Sequence, residues 1–319
     1  MRHLTVFGCD LDEAALFRDR APAFGITPVI TAEPLSASTM NLAAGARCIS
    51  VSHKTPISTA QLDALSAAGI RYISTRSIGY DHLDAAYASS IGLTVENVAY
   101  SPDGVADHTV MLILMGLRHA RSTVLRVEKH DYRLPPARGR ELRDLTIGVV
   151  GTGRIGAAVI DRLRGFGCRI LAVDSRRASP AEYVTLDELL KRSDVVTLHV
   201  PLTAPTHHLL NVRTLERLKP GALIVNTGRG ALVDTAALLE ALESGRVGGA
   251  ALDVIEGEEG VFYADRRRRP VDDATFARLH ALPSVIITPH TGYYTEGALA
   301  DTVDASLANC LRFEEGRAA

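Results

Sequence analysis

An arginine, a histidine and a group of acids in the second half of the sequence could carry out chemistry together. Arg229 lies between two glycines, and its planar guanidinium suits a carboxylate, which it can bind through two parallel hydrogen bonds. His290 lies in the segment Thr-Pro-His-Thr. A histidine held by a carboxylate is a competent general acid for a carbonyl oxygen as hydride arrives. Taken singly, the two residues also fit structural roles, as a surface arginine and a packed histidine.

Several acids are candidates for the carboxylate that would hold this histidine. Asp253, Glu256, Glu258 and Glu259 follow a predicted strand. A carboxylate beside an imidazole fixes its tautomer and favours its protonated form. Acid clusters are also common in solvated loops, so the residue types alone leave open which of the four has this role.

A glycine-rich turn earlier in the chain predicts a dinucleotide site. The apolar run 147–150 predicts a buried strand, and the segment Gly151-Thr-Gly-Arg-Ile-Gly156 precedes an amphipathic helix. Gly151 would allow a tight turn, Gly153 a close approach to a pyrophosphate, and Gly156 close packing of helix and strand. The helix N-terminus would offer N–H groups to the phosphates. A tight strand-to-helix turn without a ligand is the alternative reading.

An acid after the next predicted strand supports the dinucleotide reading. Residues 169–173 form that strand, and Asp174 follows, about 20 residues past the glycines, where an acid accepts hydrogen bonds from the adenosine ribose. This carboxylate would repel a 2′-phosphate and favour NADH. Arg176 and Arg177 could partly accommodate NADPH, so we expect a preference rather than exclusion.

The elements that must position these groups alternate between strands and helices. Cys48–Val51 and Tyr72–Thr75 are predicted strands in the first hundred residues. Three later strands end at Pro201, at Thr227-Gly228 and at Asp253, and ligands of open parallel sheets bind beyond such carboxyl ends. The alternation predicts an α/β protein with parallel sheets and right-handed crossovers.

Two helices indicate the domain organisation. The first has Ser101 as its N-cap and Pro102 as its first helical residue, and it is apolar almost all round, so we expect it to be buried at the crossing between domains. The last, residues 296–313, is expected to fold back onto the first domain. The prediction is two Rossmann-like, doubly wound parallel-sheet domains with a cleft between them. Residues 1–100 with 291–319 would form the substrate domain, and 101–290 the dinucleotide-binding domain.

Composition excludes several classes of function. The 319 residues carry a net charge of −2, which gives no electrostatic footprint for nucleic acid or an anionic membrane. The four cysteines are scattered without metal-ligand spacing, so free thiols in a reducing cytoplasm and no metal site are expected. No signal peptide is predicted, and the longest apolar run, residues 110–117, is too short to cross a bilayer.

The sequence resembles the D-isomer-specific 2-hydroxyacid dehydrogenases over almost its whole length. The matching motifs are Gly151–Gly156, His199–Thr206, Asn226–Gly230, Gly249–Val254 and Thr288–Thr291. The resemblance implies an arginine that binds the substrate carboxylate and carbonyl, a histidine acid/base, and a glutamate paired with the histidine. The matching positions are Arg229, His290 and Glu258.

The resemblance also implies the residues around each ligand. The residues predicted to bind NAD, with NADP as the alternative cofactor, are Gly151, Gly153, Arg154, Ile155, Gly156, Asp174, Pro201, Thr206, Thr227, Gly228 and Asp253. Those predicted around the substrate are Ile78, Gly79, Tyr100, Arg229 and Tyr293. Tyr100, Tyr293 and Tyr294 would give a small pocket with aromatic walls. A homodimer is expected, and the polar segment 129–143 suits a surface arm or one that holds a partner subunit.

Within the family the chain is most similar to D-lactate dehydrogenases, through segments 74–79, 97–102 and 289–295. Segments 53–54, 128–134, 257–259 and 262–263 resemble the enzymes of vancomycin-resistance clusters, some of which lack an acid at the position of Asp174. The resemblance implies reduction of pyruvate by NADH to D-lactate, for cell-wall precursors ending in D-Ala-D-Lac.

Two alternatives remain open at this stage. One is a dehydrogenase for a bulkier 2-keto acid or for phosphoglycerate, against which the small pocket argues. The other is a non-enzymatic NAD-sensing scaffold similar to a corepressor, because fold likeness alone does not define function. The loops of the D-lactate dehydrogenase type favour catalysis over that scaffold.

Overall fold

A computed structural model describes residues 2–135 and 137–317, which fall into two compact units. The first unit comprises Met1–Ser101 with Tyr294–Ala319, and the second comprises Pro102–Tyr293. The predicted boundary at residue 290 differs from this division, since residues 291–293 lie in the second unit. The backbone N–H groups of Thr291 and Gly292 bind Asp253 of that unit, which explains the difference.

The first unit is built on a five-stranded parallel sheet in the order β2-β1-β3-β4-β5. Its strands are β1 (Arg2–Val6), β2 (Ile26–Ile30), β3 (Cys48–Val51), β4 (Tyr72–Thr75) and β5 (Thr94–Asn97). Its helices are α1 (Leu11–Arg20), α2 (Thr59–Ala67), α3 (Ala85–Ser90) and, at the end of the chain, α11 (Glu296–Glu314). The predicted strands Cys48–Val51 and Tyr72–Thr75 are confirmed and fully buried, as expected for the middle of a parallel sheet.

The last helix packs in the first unit, as predicted. It lies against α1, β3 and β4. A chain of buried hydroxyls joins it to the sheet, with Ser306 Oγ 2.8 Å from Ser50 Oγ and 3.1 Å from Ser74 Oγ. Burial of Val303 and Leu307 completes the contact.

The second unit is built on a seven-stranded parallel sheet in the order β12-β11-β10-β9-β6-β7-β8. Its strands are β6 (Thr146–Val150), β7 (Arg169–Val173), β8 (Glu182–Tyr183), β9 (Val195–Leu198), β10 (Ala222–Asn226), β11 (Val247–Leu252) and β12 (Val285–Ile287). Its helices are α4 (Asp103–Leu117), α5 (Ala120–Glu128), α6 (Arg154–Arg164), α7 (Leu186–Arg192), α8 (Val212–Leu215), α9 (Thr235–Glu243) and α10 (Ala274–Ala281). The prediction of two parallel-sheet α/β domains is confirmed.

Helices cover both faces of the second sheet. Ile147 and Val149 face the core that contains α4 and α6, whereas Val150 faces the core that contains α7 and α9. The strand order reverses around β6, because β7 lies on one side of it and β9 on the other. Such a switch point is where doubly wound sheets bind their ligands.

The prediction for the helix after Ser101 needs correction. It begins at Asp103 with Pro102 as its N-cap, and Ser101 belongs to the first unit. It is also not buried all round, because Asp103, Asp107 and Met111 form an exposed stripe. The two aspartates accept hydrogen bonds from Arg162 of α6, so this side of the helix carries surface ion pairs rather than core contacts.

Across the described ranges, no helix is long and apolar enough to cross a membrane. The four cysteines are free; Cys9, Cys48 and Cys310 are buried and Cys168 is half-buried. Burial raises the pKa of the Cys9 thiol to about 12, so this thiol stays protonated.

Candidate active site

Six strands of the second sheet end in one row. Their paired residues are Val173, Val150, Leu198, Asn226, Leu252 and Ile287. The residues that follow are therefore together at the carboxyl edge: Asp174, Gly151, His199, Thr227, Asp253 and Thr288. Four of these six were predicted from the sequence to bind the cofactor, and the sheet brings them to the edge where ligands bind.

The glycine turn after β6 fits a dinucleotide. Gly151 has φ +92°, and a Cβ there would lie 2.7 Å from the carbonyl of His199. A Cβ on Gly156 would lie 2.0 Å from the carbonyl oxygen of Gly151, so this glycine lets α6 pack against the turn. Around a Cβ on Gly153, the described part of the chain places no atom within 4 Å. Gly153 is the N-cap of α6, whose first residues are Arg154 and Ile155, so a pyrophosphate could approach the helix N–H groups there.

Two substitutions separate these glycine roles. Gly156→Ala is expected to lower the melting temperature, because overpacking against backbone costs about 1–3 kcal/mol. Gly153→Ala is the matched variant: we expect an unchanged melting temperature without cofactor and NADH binding weakened about tenfold or more, since its Cβ would meet the pyrophosphate. Thermal melts and NADH fluorescence titrations measure both quantities. Equal effects of the two variants on both would contradict the assignment.

Asp174 presents a charged carboxylate at the end of β7. Its two oxygens accept hydrogen bonds from the backbone N–H groups of Thr152 at 2.6 Å and Arg176 at 2.9 Å. The N–H groups of Arg176 and Thr152 hold the pKa of this carboxyl below its ordinary value. Arg176 and Arg177 are exposed, and the Arg177 guanidinium lies 5.8 Å from the centre of the Tyr183 ring.

Four further residues predicted to bind the cofactor, Pro201, Thr206, Thr227 and Gly228, lie in the loops after β9 and β10. Thr206 holds the loop after β9, since its hydroxyl donates to the carbonyl of Pro201 at 2.7 Å. The hydroxyl of Thr227 lies 2.8 Å from that of Thr109 in α4, and both residues are buried. Gly228 donates its N–H to Asn226 Oδ1 at 3.0 Å, so the backbone after β10 is fixed by the last residue of the strand.

Asp253 ties together the ends of β11 and β12. Its carboxylate accepts hydrogen bonds from Thr288 Oγ1 at 2.6 Å, Thr291 N at 2.9 Å and Gly292 N at 2.8 Å, and His108 Nε2 lies 3.2 Å from it. Burial favours the neutral acid, but the bonds from His108 and Thr288 outweigh it and hold the pKa of Asp253 below its ordinary value. The backbone on both sides of His290 is thereby fixed.

His290 and Glu258 form a pair beyond these strand ends. His290 Nδ1 lies 2.5 Å from Glu258 Oε1, and each side chain is 17% exposed. Glu258 Oε2 accepts the N–H of Ile255 at 2.8 Å, which orients the carboxylate. His290 has φ +55°, and its backbone N–H donates to the carbonyl of Asp253 at 2.8 Å. Of the four candidate acids, Glu258 is the one that holds His290.

Arg229 lies in a turn fastened at both ends. Its carbonyl accepts a hydrogen bond from Asn226 Nδ2 at 2.8 Å, and its Nη1 donates to the carbonyl of Gly228 at 2.9 Å. The next residue, Gly230, packs directly on the loop that carries Glu258, since a Cβ there would lie 2.2 Å from the carbonyl carbon of Ile255. The turn that carries Arg229 therefore contacts the loop that carries Glu258.

Two aromatic side chains border His290. The ring of Tyr293 meets the imidazole edge-on, with centroids 6.1 Å apart. The Tyr263 hydroxyl donates to the carbonyl of His290 at 3.0 Å. Neither Tyr263 nor His108 was predicted from the sequence to have a role at the site. The resemblance of segment 262–263 was the one available signal for Tyr263.

The remaining predicted substrate residues lie in the first unit. Ile78 and Gly79 follow β4, and their carbonyls accept hydrogen bonds from Asn97 Nδ2 and Ser77 Oγ, each at 2.6 Å. Tyr100 is buried at the end of the segment after β5. Tyr294 is 50% exposed and its hydroxyl donates to Asp12 at 2.5 Å, so its position is set by that carboxylate.

Fold and site together define a dehydrogenase with an NAD-binding domain, in which a histidine–glutamate pair lies beside the cofactor edge of the sheet. Residues 110–292 match the D-isomer specific 2-hydroxyacid dehydrogenase, NAD binding domain. The chain belongs to the D-isomer specific 2-hydroxyacid dehydrogenase family, as its sequence resemblance indicated. NAD(H) is accordingly its cofactor, and its activity is that of an NAD-dependent oxidoreductase.

Three known proteins illustrate the similarity. A D-specific alpha-keto acid dehydrogenase of Enterococcus faecium is 54% identical over 98% of this chain and 97% of its own length. An aromatic 2-oxoacid reductase of Clostridium sporogenes is 38% identical over 95% of this chain and 93% of its own. The structure of D-lactate dehydrogenase from Aquifex aeolicus with NAD and lactic acid has a TM-score of 0.89 at 32% identity, covering 99% and 96% of the two chains.

Proposed function

We propose that this enzyme reduces pyruvate to D-lactate. The observation that carries the proposal is the His290–Glu258 pair at 2.5 Å, held at the carboxyl edge beside the Arg229 turn. Arg229 would bind the carboxylate of the keto acid and polarise its carbonyl. When bound, the reduced nicotinamide supplies a hydride to the carbonyl carbon.

His290 would supply the proton. Because Glu258 binds Nδ1, the proton transferred to the carbonyl oxygen is the one on Nε2. The imidazolium that donates it is stabilised by the Glu258 carboxylate, whose other oxygen is held by the N–H of Ile255. Hydride and proton together convert the ketone to a secondary alcohol, and in the reverse direction His290 accepts the proton.

Aromatic side chains would limit the size of the substrate that the enzyme accepts. We propose that Tyr293, whose ring lies edge-on to His290, borders the methyl end of the substrate. The resemblance adds Ile78, Gly79 and Tyr100 as further proposed substrate residues. Such a pocket discriminates by about 1–3 kcal/mol per methylene, so we expect pyruvate to react fastest, 2-ketobutyrate more slowly and branched acids most slowly. Steady-state rates with a panel of 2-keto acids, and chiral analysis of the product, test this. L-lactate as product, or a faster rate on 2-ketoisocaproate than on pyruvate, would refute it.

A larger 2-keto acid is the second candidate substrate, because a relative 38% identical is named an aromatic 2-oxoacid reductase. The same panel distinguishes the two when it includes phenylpyruvate. A phosphoglycerate substrate, or a non-enzymatic scaffold, finds no comparable support among these relatives.

The cellular role proposed is supply of D-lactate for cell-wall precursors that end in D-Ala-D-Lac, as in vancomycin-resistance clusters. Its support is the resemblance of segments 53–54, 128–134, 257–259 and 262–263. Deletion of the gene in its host, followed by mass spectrometry of the precursors, tests the role. Unchanged amounts of precursors ending in D-lactate would contradict it.

We expect this enzyme to prefer NADH to NADPH. The charged Asp174 carboxylate would repel a 2′-phosphate, whereas Arg176 and Arg177 would moderate that repulsion. The ratio of kcat/KM for the two cofactors measures the preference, and Asp174→Ala should shift it towards NADPH. A kcat/KM for NADPH well above that for NADH in the unaltered enzyme would overturn this expectation.

We also propose that the enzyme works as a homodimer. Apolar side chains of α5 and the segment after it are unusually exposed, namely Val124, Leu125, Val127, Tyr132 and Leu134. An exposed apolar patch of this kind is typical of a protein–protein contact. Light scattering should give twice the 34.2 kDa of one chain, and the mass of a single chain would exclude the dimer.

A further inference from the structure

Two histidines and a glutamate meet on the second unit, outside the His290–Glu258 pair. His208 Nε2 lies 2.9 Å from both carboxylate oxygens of Glu256, and His207 Nε2 lies 3.8 Å from one of them. One potential ligand atom from each residue lies within 4.8 Å of the others. The three side chains are partly exposed, at 52%, 32% and 36% for His207, His208 and Glu256.

The backbone brings the imidazole rings of His207 and His208 side by side, although the side chains of neighbouring residues often point apart. His208 has φ +48°, in the left-handed region, and the two imidazoles stack with centroids 4.0 Å apart. This turn is fastened, because His208 N donates to the carbonyl of Ala231 and its own carbonyl accepts from Asn211 Nδ2, each at 2.8 Å. Both Nε2 atoms can therefore bind one ion beside the Glu256 carboxylate.

The donor set has the chemistry of a borderline transition ion. Two imidazole nitrogens and one carboxylate oxygen are the ligands of many zinc sites with an open fourth position. Tetrahedral bonds of zinc length separate the ligand atoms by about 3.4 Å. The separations of 2.9 and 3.8 Å lie on either side of that value, so rotations of the side chains would suffice.

A fourth residue lies near the position from which a metal-binding histidine is usually supported. Such a histidine donates its other ring N–H to a carboxylate or carbonyl. Asp234 Oδ2 lies 4.0 Å from His208 Nδ1, on the side of the ring away from Glu256, so a small rotation of the imidazole would bring it within hydrogen-bond distance. Asp234 also caps α9 by accepting the N–H of Ala237 at 3.0 Å, which fixes its position.

We propose that His207, His208 and Glu256 bind one divalent transition ion of the zinc class, with Asp234 supporting His208. The ion would join the loop after β9 to the loop after β11. The second of these loops also carries Glu258, and the Arg229–Gly230 turn packs against it. Occupancy would therefore restrain two loops of the candidate active site without contact with the reacting atoms.

Zn²⁺ titration by calorimetry tests the site, with enzyme that carries no polyhistidine tag. We expect one Zn²⁺ per chain, no displacement by excess Mg²⁺, and proton release that weakens binding at acidic pH. The double substitution His207→Gln with His208→Gln should abolish binding, whereas His280→Gln, at an exposed histidine, should not change it. Hydrogen exchange should slow on addition of Zn²⁺ at residues 206–210 and 255–258 only in proteins that keep the site.

A milder variant keeps the test valid if the double variant is unstable. Asp234→Asn retains an N-cap residue for α9, so the fold should persist, and Zn²⁺ affinity should fall about tenfold. Absence of Zn²⁺ binding in the unaltered enzyme would overturn the proposal. So would binding that survives the double substitution, because the ion would then lie elsewhere.

Discussion

Replacement of His290 with alanine is expected to lower kcat for pyruvate reduction by about 10²–10⁴-fold, the usual contribution of a positioned general acid. The reason is the geometry of its pair with Glu258, which fixes the imidazole by a 2.5 Å contact to Nδ1. The fold should tolerate the change, because Asp253 and Tyr263 hold the backbone of His290 rather than its ring. Steady-state kinetics at saturating NADH measure the loss, with His280→Ala as the surface control.

Substitution of Glu258, the partner of His290, provides a second test of the same assignment. Glu258→Gln keeps a hydrogen-bonding group beside Nδ1 but removes the charge that stabilises the imidazolium. The kcat for pyruvate reduction should therefore fall, but by less than in His290→Ala, where the proposed proton donor itself is lost. Near-full activity of His290→Ala would show that another group donates the proton, and an unchanged kcat of Glu258→Gln would remove Glu258 from this role.

Arg229→Lys should raise KM for pyruvate by about 10- to 100-fold, with a smaller effect on kcat. A guanidinium can bind a carboxylate through two parallel N–H groups, and an ammonium cannot reproduce that fork. Loss of one charged hydrogen bond costs about 1.5–3 kcal/mol, which corresponds to this range. The hydrogen bond from Asn226 Nδ2 to the Arg229 carbonyl remains in the variant, so the turn should keep its shape.

Arg267→Lys provides the control, since Arg267 pairs with Asp265 in an exposed loop. Product inhibition by D-lactate should weaken in Arg229→Lys in parallel with KM, because substrate and product carry the same carboxylate. A fall in kcat with KM unchanged would mean that Arg229 acts on the transition state alone.

The sequence predicted the edge of the second sheet well because strands there are short, apolar and followed by polar turn residues. Asp174, Thr227 and Asp253 each follow a strand whose buried residues pair in register with their neighbours. In a parallel sheet such pairing brings residues that are far apart in the chain to one edge. The roles of the three turn glycines likewise follow from local backbone constraints.

Edge elements escaped prediction because they lack that signal. The strand Ile26–Ile30 contains Pro28 and alternates in burial, and Thr94–Asn97 has no fully buried residue; both lie at sheet edges. The helix Ala120–Glu128 buries no residue at all, so its apolar positions do not mark a core-facing stripe. The exposed stripe of α4 was not predicted, because one of its residues, Met111, is apolar although its side chain is 41% exposed.

Partners distant in sequence were equally beyond prediction. His108 lies on α4 and meets Asp253 across 145 positions, a distance that no spacing rule covers. Glu256 and His208 are 48 residues apart and follow β11 and β9, which the sheet separates by β10 alone. One distant pair was predicted, namely His290 with Glu258. The choice of Glu258 among the four acids after β11 came from the family resemblance rather than from residue type.

The contacts of Asp253 affect where chimeric enzymes can be joined. Asp253 binds Thr291 and Gly292 just before the chain leaves the second unit after Tyr293. The contacts that His290 receives from Asp253, Glu258 and Tyr263 are all made within residues 102–293. A chimera that joins this segment to the remaining residues of a relative is therefore expected to keep His290 with these three contacts. Exchange of residues 1–101 and 294–319 between relatives should leave the His290–Glu258 pair in place.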